Sequence, residues 1–228
     1  MKILKSFKAL TKFEVILWLS SLFVVTASFL LTPDKDLLSL IASIIGVTAL
    51  IFVSKGYVLG QVLTLIFAVF YGIISFIFTY YGEMITYLCM TAPMAILSMV
   101  EWYKNPYKNS DEVKVQNVTK KQVFTMLCFT ILVTVAFYFI LNAVGNANPI
   151  ISTLSITTSF IACYLTFLRS PFYAVAYAAN DIVLIVLWIL ATIKDLSYLP
   201  MIFCFIMFLV NDLYGFMNWR KMKKHQTD

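Results

Sequence analysis

Eight long apolar runs, separated by short polar breaks, constrain what this chain of 228 residues can fold into. A helix rises about 1.5 Å per residue, so about 20 mainly apolar residues cross the hydrocarbon core of a bilayer. The breaks contain Gly, Pro, Ser or charged residues, which end helices. The pattern predicts an all-α polytopic membrane protein with eight transmembrane helices, at residues 13–31, 37–53, 58–80, 84–102, 123–144, 150–168, 172–193 and 199–219.

The composition excludes an ordinary soluble domain. Hydrophobic residues make up 61% of the chain and charged residues 12%, against about 45–50% and about 25% in soluble proteins. The net charge of +6 does not indicate a nucleic-acid partner, because the basic residues lie between the apolar runs and not on a soluble face. We therefore expect the lipid bilayer to surround most of the chain.

The basic residues indicate the orientation in the membrane. With the N-terminus in the cytoplasm, the outer loops of the predicted topology contain only Lys35 and Lys194. The other fifteen of the seventeen Lys and Arg residues then lie on the inner side. This asymmetry follows the positive-inside rule and predicts a multi-pass protein of the cell membrane with both termini in the cytoplasm.

Residue types that bind metals or catalyse reactions are sparse. The four cysteines lie singly within apolar runs (Cys89, Cys128, Cys163 and Cys204), and His225 lies in the charged tail. The sequence therefore predicts no disulfide, no metal and no cofactor. An intramembrane enzyme would need clustered His, Asp or Glu near one membrane interface, so we expect the protein not to be an enzyme. A receptor or assembly subunit stays open as an alternative.

An internal repeat relates the two halves of the chain. A shift of 117 residues places Trp102 on Trp219 and Lys104 on Lys221, with loops falling on loops. The aligned helices are four apart and run in the same direction, which is typical of parallel-repeat transporters. We predict a 3+1+3 arrangement: 1–36, the cytoplasmic N-terminus and an extra first helix; 37–102, the first three-helix bundle; 103–148, a cytoplasmic connector and linker helix; 149–219, the second bundle; 220–228, a cytoplasmic tail.

Polar side chains inside the apolar runs are the candidate site residues. They cost several kcal/mol in hydrocarbon unless they face a cavity or a partner. The third predicted helix carries one polar face, and the shift of 117 residues matches that face on the seventh helix. The residues concerned are Gln61, Thr64, Tyr71 and Ser75, and then Asp181, Trp188 and Thr192 with Asn180 beside them.

The last helix of each half carries a similar face. The fourth predicted helix contributes Thr91, and the eighth contributes Asn211 with Tyr214 adjoining. Amide groups both donate and accept hydrogen bonds with sugar hydroxyls, and aromatic faces stack heterocycles. Asp181 favours a cation. Any single Thr or Ser could instead join helices by a hydrogen bond. The sequence has no row of arginines for phosphate, so we expect a planar neutral or cationic ligand with hydroxyls and not a phosphorylated nucleotide.

Short motifs in a fixed order resemble the PnuC family of nicotinamide riboside transporters. They are Lys55-Gly56-Tyr57-Val58-Leu59-Gly60-Gln61, Tyr71-Gly72, Tyr80-Tyr81-Gly82-Glu83, Tyr177-Ala178-Ala179-Asn180-Asp181, Asn211-Asp212-Leu213-Tyr214-Gly215 and Trp219. The resemblance covers about residues 11–219. It implies a bacterial inner-membrane homotrimer whose subunits have an architecture like that of SWEET sugar transporters.

The resemblance also implies a mechanism. Family members carry unphosphorylated vitamin by facilitated diffusion, and a cytoplasmic kinase then traps the vitamin for NAD synthesis. The substrate site lies midway between the bundles, and the corresponding positions include Asn180, Asp181, Trp188, Asn211 and Tyr214. Related carriers transport thiamine, riboflavin or deoxynucleosides, so another vitamin or nucleoside stays an alternative substrate.

Overall fold

The computed structural model describes residues 2–31, 37–77, 81–108, 110–146 and 148–227. Eight helices in these ranges are long and apolar enough to cross a membrane, which confirms the predicted number. The α-helices are α1 (Lys2–Lys8), α2 (Lys12–Leu30), α3 (Leu37–Ser54), α4 (Val58–Ile77), α5 (Tyr81–Thr86), α6 (Ala92–Lys104), α7 (Lys120–Ala143), α8 (Pro149–Phe167), α9 (Tyr173–Lys194) and α10 (Leu199–Thr227). The short helix α1 was not predicted, and the end of the predicted span 58–80 lies outside the described residues.

Local sequence sets where several helices begin. Thr11 caps α2 and Thr119 caps α7, each in a capping box with the residue three positions on, Glu14 and Gln122. Pro149 opens α8 at a position where its missing N–H is not needed. The last helix, α10, continues to Thr227, past the predicted end at residue 219, because no Gly or Pro interrupts the basic segment that follows.

The fourth membrane span is interrupted. A π-helical turn at Tyr87–Thr91 separates α5 from α6, and Pro93 follows as the second residue of α6. Proline lacks an N–H and its ring clashes with the carbonyl four residues earlier. The chain accommodates both effects of Pro93 by widening the preceding turn into a π-helical turn.

The spans pack as two groups of three. Helices α3, α4 and α5–α6 form one group, and α8, α9 and α10 form the other. The first helix of each group contacts the last helix of the other group, α3 against α10 and α8 against α6. Helix α7 packs mainly on α8, and α2 packs on α3 and α10. The 3+1+3 arrangement and the repeat stay predictions.

A connector closes the membrane face that carries both ends of the chain, which we call the terminal face. Residues 105–108 and 110–119 lie against both groups of helices there. The N–H of Val113 donates to the carbonyl of Gly56 in the first group, and the N–H of Gln116 donates to the carbonyl of Arg169 in the second. Arg169 also forms an ion pair with Glu101, with 3.3 Å between nitrogen and oxygen.

Two tryptophans join the groups at the terminal face. The indole N–H of Trp102 donates to the carbonyl of Thr166 on α8 at 2.9 Å. The indole N–H of Trp219 donates to the carbonyl of Val53 on α3, also at 2.9 Å. The two rings lie 5.3 Å apart between centroids, and both side chains are fully buried. We call Trp102, Trp219 and their two bonds the tryptophan latch.

A buried ion pair fixes the extra helix α2 to the rest of the fold. The ammonium of Lys55 lies 3.0 Å from Glu14 Oε2, and the side chains are 10% and 1% exposed. The hydroxyl of Tyr214 on α10 donates to Glu14 Oε1 at 2.8 Å. The carboxylate therefore joins α2 to both groups of helices.

Replacing Lys55 by methionine is expected to lower the free energy of unfolding by about 3 kcal/mol, because the carboxylate of Glu14 would stay buried without its cation. Thermal unfolding of the purified protein in detergent measures this. Lys5→Met is the matched control: the Lys5–Asp111 pair is 4.0 Å long and mostly exposed, and exposed pairs contribute about 0–1 kcal/mol. Equal melting temperatures for both variants would contradict the stabilising role of the Lys55–Glu14 pair.

Candidate functional site

A central cavity lies between the two groups of helices. Its volume is about 80 Å³, and residues from α3, α4, the π-helical turn, α8, α9 and α10 line it. Every membrane span of the two groups therefore contributes to its wall. The lining residues that bear on function are Val53, Gln61, Thr64, Phe67, Tyr87, Thr91, Ser159, Thr166, Tyr177, Asn180, Asp181, Phe205, Phe208 and Asp212.

Two carboxyl groups face this cavity from neighbouring helices. Asp181 on α9 and Asp212 on α10 are both 3% exposed and line the same cavity. Two carboxyl groups that share a buried site repel each other when both are charged, which favours a proton on one of them. Asp181 Oδ2 is buried and has no hydrogen-bond partner among the described residues. A buried carboxyl oxygen without a donor is expensive, so the pair is suited to a ligand that brings positive charge or a donor.

Asn180 lies beside the carboxyl pair and is held by α8. Its Oδ1 lies 3.0 Å from the hydroxyl of Ser155 and 2.9 Å from that of Thr158. Both hydroxyls come from one face of α8, so the amide is positioned against the cavity by the contact between α8 and α9. Asn180 is 6% exposed and can both donate and accept hydrogen bonds.

Three further predicted residues line the cavity from the first group of helices. Gln61 and Thr64 lie on α4, and Thr91 is the last residue of the π-helical turn. Gln61 and Thr91 are buried, whereas Thr64 donates its hydroxyl proton to the carbonyl of Gly60. Of the residues on the predicted polar face of the third span, Gln61 and Thr64 therefore line the cavity.

Two predicted aromatic residues lie elsewhere. Tyr71 packs behind the cavity wall, with its ring centroid 4.4 Å from that of Tyr87, and it does not line the cavity. The ring of Trp188 lies 5.7 Å from that of Tyr198 between centroids, tilted by 43°, and Trp188 lines a second cavity toward the opposite membrane face. Both sit one or two helical turns farther along their helices than the residues that reach the centre.

The structure places Asn211 and Tyr214 against α2 and not among the residues that line the central cavity. The amide nitrogen of Asn211 donates to the hydroxyl of Ser21 on α2 at 3.0 Å. Tyr214 donates to Glu14, also on α2. Successive residues on a helix point about 100° apart, so Asp212 faces the cavity while Asn211 faces the extra helix.

Sequence reasoning did not select several residues of the cavity. Asp212 is the most consequential, and its charge inside an apolar run was a visible signal. Tyr87 and Tyr177 add aromatic walls, and Phe205 and Phe208 add apolar ones. Helical spacing places Tyr87 on the face of Thr91 and Phe208 on the face of Asn211, but aromatic residues are abundant in every span and no signal sets Tyr177 or Phe205 apart. The described residues contain no group of three or more His, Cys, Asp or Glu placed to hold a metal ion.

A route leads from the central cavity to the membrane face opposite the termini, which we call the distal face. A narrow neck of about 20 Å³ shares Tyr87, Ser159 and Asn180 with the central cavity. The neck in turn shares Glu83 and Ser152 with an outer vestibule of about 450 Å³. Two cavities at the terminal face share no lining residue with the central one.

Known proteins resemble this chain along nearly its whole length. The protein family described as nicotinamide mononucleotide transporter matches residues 36–221. A nicotinamide riboside transporter PnuC of Haemophilus influenzae is 30% identical over 217 residues, 93% of this chain and 91% of that protein. One of Neisseria mucosa is 28% identical over 222 residues, 95% of this chain and 84% of that protein.

The fold matches as well. The crystal structure of the vitamin B3 transporter PnuC superposes with a TM-score of 0.82 at 27% identity, covering 96% of this chain and 94% of that one. These matches confirm the resemblance predicted from the short motifs. The chain is similar to PnuC transporters along nearly its whole length. It therefore belongs to the protein family described as nicotinamide mononucleotide transporter.

Proposed function

We propose that the protein carries nicotinamide riboside across the cell membrane by facilitated diffusion. The observation that supports this most directly is the buried Asp181–Asp212 pair in a cavity between the two groups of helices. Nicotinamide riboside combines a planar pyridinium cation with a ribose. The carboxyl pair attracts the cation, Tyr87 and Tyr177 offer aromatic faces, and Asn180 and Gln61 can bind hydroxyls. The two PnuC relatives are named for this substrate.

The cavity favours the riboside over the mononucleotide of the family description. No Lys, Arg or His is found among the described residues that line it. A phosphate would bring up to two negative charges toward two carboxyl groups, and burying unpaired charge is costly. We therefore propose an unphosphorylated substrate, with phosphorylation by a cytoplasmic kinase as the step that traps the vitamin for NAD synthesis.

The proposed mechanism is alternating access. The central site communicates with the distal face through the neck, and the tryptophan latch and connector lie between the site and the terminal face. We propose that the terminal face is cytoplasmic in a bacterial inner membrane, since fifteen of the seventeen Lys and Arg residues belong to that side of the predicted topology. Movement of one group of helices against the other would then expose the site to each side in turn.

We further propose a homotrimer. Helix α7 packs mainly on α8 and leaves many large apolar side chains exposed, among them Phe124, Leu132 and Phe139. In a membrane such a face contacts lipid or a sister subunit, and the family resemblance favours the sister subunit for part of it. Cross-linking of the purified protein in detergent tests this, with trimers as the expected product.

Uptake into liposomes that contain only the purified protein tests the proposed function. We expect saturable uptake of labelled nicotinamide riboside, driven by its own gradient and unchanged by an imposed pH gradient. Excess unlabelled riboside should compete, whereas the mononucleotide, riboflavin and deoxynucleosides should compete weakly. Equal uptake of thiamine, which is also a cationic heterocycle, would identify a different vitamin as the substrate, and no uptake of any of these compounds would remove the transporter proposal.

A further inference from the structure

The neck between the outer vestibule and the central cavity is too narrow for a nucleoside. Its volume of about 20 Å³ holds about one water molecule. The vestibule, at about 450 Å³, lies within the range of cavities that bind small organic molecules. A ligand arriving from the distal face must therefore stay in the vestibule until the neck and the central cavity, at about 80 Å³, both widen.

One carboxylate lies at the junction of the vestibule and the neck. Glu83 on α5 lines both the neck and the vestibule. It is partly buried, and among the described residues no donor forms a hydrogen bond or ion pair with it. It is the second residue of the fourth membrane span, at the distal end, so its carboxylate faces the vestibule where a ligand would enter. Nothing in the central site requires it, because Glu83 does not line the central cavity.

The other walls of the vestibule suit a planar ring with hydroxyls. Trp188 and Tyr198 form an aromatic corner, with ring centroids 5.7 Å apart. Asn146 and Ser152 line both the neck and the vestibule, as Glu83 does, and offer polar groups there. At the outer rim, Lys194 and Asp195 both contribute to the lining. Their opposite charges offset each other, so Glu83 determines the sign of the potential at the neck.

We propose that Glu83, Trp188, Asn146 and Ser152 form an outer binding subsite that takes the cationic pyridinium ring before the ligand reaches the central cavity. This inference rests on the proposed function, and it assigns to Trp188 a role at the vestibule. Glu83 lies on the short helix α5, directly before the π-helical turn that supplies Tyr87 and Thr91 to the central wall. Movement of this segment would widen the neck and pass the ligand inward.

Glu83→Gln tests the subsite, because it removes the charge and keeps the size of the side chain. In liposomes containing the full chain, we expect the KM for nicotinamide riboside to rise about tenfold while kcat stays within about twofold. The reduced, uncharged form of the riboside should show less than about a twofold change in KM. Glu112→Gln is the matched control, because Glu112 is a partly buried glutamate of the connector at the terminal face and lines neither the neck nor the vestibule. Its KM for either form should stay within about twofold.

Each outcome of the Glu83→Gln experiment either supports the outer subsite or contradicts it. An equal rise in KM for the charged and uncharged forms would make Glu83 a structural residue, and an unchanged KM would remove the subsite. If Glu83→Gln is not recovered folded, Ser152→Asp adds a carboxylate to the same wall and should lower the KM for the cation several-fold; no decrease would then overturn the proposal. If the unaltered protein takes up none of the riboside, the proposed function fails, and the subsite for this ligand fails with it.

Discussion

Replacing both Asp181 and Asp212 by asparagine is expected to weaken the binding of nicotinamide riboside by at least about 100-fold. The two side chains line the same cavity, which has no basic residue among its described lining. A cation about 4 Å from one negative charge gains about 4 kcal/mol at an effective dielectric constant of about 20. Each single variant leaves the other carboxyl group to carry the charge, so we expect about tenfold losses from Asp181→Asn and Asp212→Asn alone.

Titration calorimetry on the purified protein measures these affinities. The double variant should lose far less affinity for the uncharged reduced riboside than for the cation. Asn211→Ala is the matched control, because Asn211 is the buried neighbour of Asp212 and bonds to Ser21 instead of facing the cavity. We expect it to lower thermal stability and leave the affinity within about twofold. A normal affinity for the cation in the double variant would contradict the central site proposed here.

The contrast between Asn211 and Asp212 shows how far the sequence could predict the site. Apolar runs bounded by Gly, Pro and charge were sufficient for all eight spans, because crossing a bilayer requires length and apolarity, which are properties of the sequence alone. Rotation about the helix axis is different. Helix α10 contacts α2, α3 and α9 on different sides, so its polar residues serve two interfaces and the sequence does not distinguish between them.

The polar face of α4 shows what helical periodicity can predict. This helix has a single polar face, and Gln61 and Thr64 on it reach the cavity. Depth along the helix was the remaining unknown: Tyr71 lies on the same face but packs against Tyr87 beyond the cavity. A periodicity of about 3.6 residues identifies a face, whereas the depth of a cavity depends on where neighbouring helices separate, and here the π-helical turn before Pro93 contributes to that separation.

Removing the tryptophan latch is expected to open the terminal face. Val53 and Thr166, whose carbonyls accept the two indole N–H groups, both line the central cavity. The tryptophan latch therefore bounds the central cavity on the side of the terminal face. Trp102→Phe with Trp219→Phe keeps the ring packing and removes two hydrogen bonds, each contributing about 0.5–1.5 kcal/mol to the closed state. The two carbonyls keep their backbone donors, the N–H groups of Gly56 and Arg169. A total of about 2 kcal/mol raises the open population about 30-fold.

Cys163 can report this opening. It is 3% exposed on α8, and its sulfur lies 3.2 Å from the hydroxyl of Tyr177, which lines the cavity. With the other three cysteines replaced by serine, a membrane-impermeant maleimide applied at the terminal face should label Cys163 about 30-fold faster in the double Phe variant. Trp18→Phe is the matched control, because its indole donates to Thr48 between α2 and α3, away from the latch. Equal labelling rates in all three proteins would mean that the tryptophans hold the fold together without gating the site.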